Sequence, residues 1–233
     1  EDDGQILVGG RIDRVDGDPR GHLARLNADG TLDVAFDPGL TGWWVNALAQ
    51  DATGRILVGG SFSVDGGVSY RSVIRLQPDG TVDPTFANPA VAGAVNAIAV
   101  QLDGRILIAG SFTTVQGTAQ RGVARLNSDG SLDPTFANPS VTDQGGSNAA
   151  VHAMALNSDG SVLIGGNFRK VAGVGRNMVA RLLADGSLDT SSSPQMTGTE
   201  VLAVAAAPDG SALVGGTISA VGGTARRGLA GLG

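Results

Sequence analysis

Two charged residue types recur at fixed places in this 233-residue chain. Arg25, Arg75, Arg125 and Arg181 share one position of a repeating pattern, and Asp33, Asp83, Asp133 and Asp189 share another. A ring of arginines could grip an anionic ligand. The same residues held in register could instead pair as Arg–Asp bridges that support the scaffold. Presence in nearly every copy points to the scaffold. Turns of the form Asn-x-Asp-Gly, at Asn27/Asp29, Asn127/Asp129 and Asn157/Asp159, superficially resemble calcium loops. Each supplies one Asp, whereas calcium takes roughly six to eight oxygens including a bidentate acid. A tight hairpin already accounts for both residues, so no metal is expected.

Residues that occur once are free to serve something other than the repeat. Trp43, Trp44 and Tyr70 are the aromatics without a repeated counterpart, and their rigid faces suit stacking on sugar rings or docking on a protein surface. His152 stands where Asn46 and Asn96 stand in other copies. Residues 140–149 hold the one insertion, with Asp143, Gln144 and Asn148 as its polar side chains. Acid–base hydrolysis of glycans needs two carboxyl groups at a set separation. The inner segments VNALAQ, VNAIAV, VHAMAL and VLAVAA contain no acid, and Glu200 is placed just ahead of one of them. No Cys is present, and two His from different copies give no basis for a triad. No enzyme activity and no cofactor are expected. The remaining hydrolase alternative would use loop carboxylates such as Asp65 and Asp143.

These residues are positioned by a repeat. Gly10, Gly60, Gly110, Gly166 and Gly216 end equivalent motifs, at spacings of 50, 50, 56 and 50 residues. In the copy at 94–136 four short apolar segments follow one another: Val95–Val100, Arg105–Phe112, Gly122–Leu126 and Ser131–Phe136. None has helical periodicity, and RILIAGSF is a continuous β-rich run suited to a buried strand. Asp-Gly dipeptides predict two-residue hairpins between the first and second and between the third and fourth segments. Pro84 and Pro134 place the fourth at an edge. The pattern predicts an all-β propeller of about five four-stranded antiparallel blades. They fall at about 4–36, 44–86, 94–136, 150–192 and 200–233 of a single domain, 1–233. The first and last are incomplete, and the outer strand of the fourth (Asp189-Thr190-Ser191-Ser192) is decayed. The six Phe residues, all at repeated positions, belong to the core.

The motifs VNALAQ at 45–50, GRILVGGSF at 54–62 and ARLNSDGSLDPTF at 124–136 resemble the delta-60 repeat of bacterial proteins, and GRILVGG is kelch-like at its double glycine. The resemblance covers essentially the whole chain. It implies a β-propeller in large surface or secreted proteins, and it implies no particular activity.

In a blade of four strands the connections 2–3 and 4–1 share one face of the disc. Trp43, Trp44, Tyr70, His152 and the insertion all fall on this long-loop face, whereas the other face has tight turns alone. Function concentrates on variable loops held by a rigid scaffold. The expectation is an extracellular or bacterial cell-surface binding and adhesion module that recognises a glycan, or else a protein. An architectural unit of a larger surface protein is the alternative. A net charge of −6 argues against nucleic-acid binding, and no apolar run is long enough for membrane insertion. The chain reads as part of something longer, and its incomplete blades leave edges for pairing with flanking domains or another chain.

Overall fold

The computed structural model describes residues 4–64, 72–207 and 211–232, none of them helical. Tyr70 and Asp65 lie outside these residues, and for Trp43 only the backbone is described. Five main antiparallel sheets follow one another along the chain, beside three two-stranded ribbons in the loops after their second strands, such as Thr114–Val115 with Thr118–Ala119. Sheet 1 pairs Ile6–Gly9 with Leu23–Leu26. Sheet 2 is Leu40–Gln50, Ile56–Val64 and Val73–Leu76, and sheet 3 is Val95–Val100, Ile106–Gly110 and Val123–Leu126. Sheet 4 is Val151–Leu156, Val162–Gly166 and Val179–Leu182; sheet 5 is Met196–Ala206, Ala212–Val221 and Leu229–Leu232. In sheets 2 to 5 the second strand is central, in agreement with its continuous apolar sequence.

The expected fourth strand does not form. Its place is taken by one bridge per repeat: Leu26–Leu32, Leu76–Val82, Leu126–Leu132 and Leu182–Leu188. The cause is the Asp that follows. Asp133 Oδ1 accepts the Thr135 amide at 2.8 Å and the Thr135 hydroxyl at 2.6 Å, which takes that amide away from any ladder. The chain then bends and drives Phe136 into the core. Repeat 4 makes the same bend through Asp189 and Ser191, so its backbone is not decayed there. It lacks only the ring, because Ser192 occupies the Phe position.

The Asp-Gly hairpins are also one residue longer than expected. Gln101 N–H donates to Arg105 O at 2.8 Å and Gly104 N–H to Gln101 O at 2.9 Å, which closes a three-residue loop ending in a left-handed glycine (φ 82°). At the second turn of this repeat, Asp129 Oδ1 accepts the amide and hydroxyl of Ser131 and fixes the bend.

Consecutive sheets stack face against face. Leu57 and Val73 of sheet 2 share a buried cluster with Ile106, Ile108 and Leu126 of sheet 3. Leu107 and Val123 do the same with Val162, Ile164 and Leu182. Inner strands approach closely because the second strand offers glycine opposite them. A Cβ on Gly59 would stand 2.6 Å from Ile98 and 2.9 Å from Val95. All six Phe are buried. The two outermost faces are bare. Leu213 and Leu229 are 54% and 63% exposed, whereas Leu57 and Val73 at the same positions are fully buried. Ile6, on the opposite face of sheet 1, is 53% exposed. Among the described residues no strand of sheet 1 pairs with sheet 5.

Candidate functional site

The repeated charges form the scaffold. Arg25, Arg75 and Arg125 each bind the Asp eight residues on, through Nε at 2.9, 2.7 and 2.7 Å. Each guanidinium also lies over the Phe of its own repeat, 4.5 to 4.7 Å from the ring centroid. Nη1 of each crosses to the next repeat and donates to a turn carbonyl: Pro78, Ser128 and Ala184 respectively. With donors committed to a carboxylate and a carbonyl, these arginines hold the repeats together and do not form an anion grip. Burial alone would raise the carboxyl pKa of Asp83 and Asp133. The Thr85 and Thr135 hydrogen bonds, with Arg75 and Arg125, outweigh it and hold both below the ordinary Asp value.

The long-loop end of the inner strands is different. In the inner strands of sheets 2, 3 and 4 a bulge just after Val45, Val95 and Val151 turns Asn46, Asn96 and His152 out of the ladder, and these three residues form a polar row across repeats. Asn46 Nδ2 donates to Val95 O and to Asn96 Oδ1, both at 3.2 Å. Asn96 Nδ2 donates to Val151 O at 2.9 Å. His152 is next in the row. Its Nε2 lies 3.3 Å from Glu200 Oε2, with both side chains partly exposed. Contrary to expectation, Glu200 is inside strand Met196–Ala206, at the position that Trp44 holds in repeat 2. The row therefore runs amide, amide, imidazole, carboxylate, and offers both donors and acceptors.

Trp44 is 37% exposed at the same end of its strand, with the Arg11 guanidinium carbon 5.9 Å from its ring centroid. His22 reaches the same strand: its ring Nε2 is 3.3 Å from Gly42 O, and its Nδ1 is buried without a hydrogen-bond partner. Sequence inspection gave His22 no role. Its signal was a left-handed backbone (φ 67°), shared at the equivalent Ser72 and Met178, which only coordinates reveal.

The inserted segment is a tied turn. Asp143 Oδ1 accepts Ser147 N–H at 2.8 Å, and Asn148 Nδ2 donates to Ser111 O at 2.7 Å. The Gln144 carbonyl accepts from Lys170 Nζ at 2.9 Å. Val141, Thr142 and Ala149 are buried beneath. Asp143 and Asn148 are thus spent on shaping the segment into a fixed rim. Among the described residues no group of three or more His, Asp or Glu side chains is arranged to hold a metal ion.

A family model described as a domain of unknown function (DUF5122) beta-propeller matches residues 1–36, 52–86, 101–136 and 157–191. No curated protein matches the chain. Among solved structures, the extracellular domain of the putative one component system BT4673 from B. thetaiotaomicron aligns with TM-score 0.55 and 15% identity, over 98% of this chain and 26% of that one. PorZ, a bacterial surface component of the type-IX secretion system of Porphyromonas gingivalis, aligns with TM-score 0.50 and 16% identity, over 97% and 32%. A protein of unknown function from Bacteroides caccae aligns with TM-score 0.50 and 18% identity, over 91% and 64%. The chain thus spans less than two thirds of each of these structures, and the likenesses bear on the fold alone.

Proposed function

The chain belongs to the DUF5122 β-propeller family, and on that footing we propose that it is a non-enzymatic binding module of the extracellular or cell-surface kind, recognising a glycan through its long-loop face. Its repeat is of the delta-60, kelch-like type, and its five sheets are five propeller blades, the first and last incomplete. The observation that carries the proposal is Trp44: a partly exposed aromatic face, backed by Arg11, two residues from the start of the polar row Asn46, Asn96, His152 and Glu200. An apolar plate beside fixed donors and acceptors suits a pyranose ring, with hydroxyls for the row and C–H faces for the indole. That BT4673 contributes an extracellular domain and PorZ a surface component supports the location.

The experiment is a glycan array probed with the protein and with Trp44→Ala of equal stability. Binding that is lost in the variant is expected. Binding that survives would move the site elsewhere. Silence from both would favour the architectural alternative, which draws support from the cross-repeat arginine contacts and from the bare faces of sheets 1 and 5, where we place pairing with a flanking domain or another chain.

A further inference from the structure

The strongest unassigned feature lies at the opposite end of the molecule from the polar row, between sheets 4 and 5. A cleft there is lined by Leu163, Val179, Ala212, Leu232, Arg181 and Ser192. The repeat itself indicates what the cleft lacks. One repeat earlier, Phe136 shares a buried cluster with Leu107, Val123, Val162 and Leu182. Those four residues are the counterparts of Leu163, Val179, Ala212 and Leu232. Phe86 is enclosed in the same way by Leu57, Val73, Ile106 and Leu126, and Phe36 by Leu23, Ile56 and Leu76. At the fourth position the wall remains and the ring is gone, because Ser192 replaces Phe.

The arginine has also changed partners. Arg25, Arg75 and Arg125 lie over their rings. Arg181 instead turns aside to Asp159, with Nη2 to Oδ2 at 2.6 Å, and to Ser161 Oγ at 3.1 Å. Its Nε stays 3.8 Å from Asp189 Oδ2, the carboxylate that its counterparts hold at hydrogen-bond distance. Ala212, smaller than the Val or Ile of other repeats, widens the cleft further.

We infer that the cleft between sheets 4 and 5 is a receptor for a benzene-sized aromatic ring, supplied by a ligand in place of the missing Phe and faced by Arg181. The ring's edge meets Leu163, Val179 and Leu232, and Arg181, which lines the same cleft, swings from Asp159 onto its face, the arrangement that three other repeats use internally. A socket that keeps the apolar walls of Leu163, Val179 and Leu232, on strands to either side, and is otherwise lined by polar groups such as Asp159 and Ser211, binds such a ring without first having to open. The ring can come from a free aromatic compound or from a phenylalanine side chain, and the two are separable by experiment.

The test uses ligand-observed and methyl NMR on the intact chain with three probes: phenol, N-acetyl-phenylalanine amide and cyclohexanol. Phenol is expected to shift the methyl signals of Leu163, Val179 and Leu232 saturably in the millimolar range. Equal or tighter binding of the phenylalanine amide would assign the ring to a peptide; weaker binding would assign it to a free compound. Ser192→Phe refills the socket from within. It is expected to weaken phenol at least tenfold while raising the melting temperature, so loss of binding cannot be ascribed to misfolding. Three results would overturn the inference: no saturable shift with either aromatic probe, undiminished binding to Ser192→Phe, or cyclohexanol binding as well as phenol.

Discussion

Arg125 Nε lies 2.7 Å from Asp133 Oδ2, and both side chains are buried. The pair combines ion pairing with cover for Phe136 and, through Nη1, a contact to Ala184 O in the next repeat. Arg125→Ala leaves the buried Asp133 carboxylate with only the half-exposed Arg105 at 3.5 Å as an ionic partner and is expected to destabilise the chain by about 3 kcal/mol. Arg181→Ala removes an arginine that is one-third exposed and tied to an exposed Asp159, at a cost of about 1 kcal/mol or less. Urea unfolding of the two variants side by side measures the contrast; equal losses would refute it.

Acid should weaken the fold through the same carboxylates. Asp83 and Asp133 have folded pKa values below the ordinary one, so they contribute stability above the unfolded value of about 3.9. That contribution is lost as pH falls from there through the folded values. Melting temperature is expected to hold from neutrality to about pH 5 and to fall below about pH 4. Asp133→Asn should start lower and fall less steeply.

Glycines at one repeat position give a paired prediction about the bare face. A Cβ on Gly165 would stand 2.6 Å from Val201 and 2.7 Å from Val204, so Gly165→Ala should cost about 1–3 kcal/mol. At Gly215 the nearest atom is 3.7 Å away, and Gly215→Ala should be neutral or stabilising by up to about 1 kcal/mol. Thermal melts of both variants check this. A large loss at Gly215 would mean that the face is covered in solution.

His152→Asn should extend the amide row already formed by Asn46 and Asn96, releasing Glu200. The expected structure has the new amide donating to Val201 O, as Asn96 donates to Val151 O. A crystal structure of the variant decides. Retention of stability with loss of glycan binding would mark His152 as a contact and not a support.

Much of the fold was legible because the chain contains its own comparison set. Phe36, Phe86 and Phe136 fall in register, and so do Arg75 with Asp83 and Arg125 with Asp133; their burial and pairing follow. The fourth strand was misread because Leu132 and Phe136 look strand-like, while the Asp133–Thr135 side-chain contact that bends the chain competes for the same amide. The site was less legible. Glu200 and His152 are 48 residues apart, and their meeting depends on inner strands lying side by side. The Asn46–Asn96 spacing of 50 was the available clue, since it already gives the offset between neighbours in the row. Trp44 was located by being unrepeated, but its partner Arg11 comes from repeat 1 and carried no signal.

The seams between repeats also set where the array is mechanically weakest. Three seams are strapped, by Arg25, Arg75 and Arg125. At the fourth, the phenyl wedge is missing, because Ser192 stands at the Phe position. Under tension along the chain, the seam between sheets 4 and 5, where Ser192 stands in for the phenyl wedge, would part before the three seams that Phe36, Phe86 and Phe136 fill.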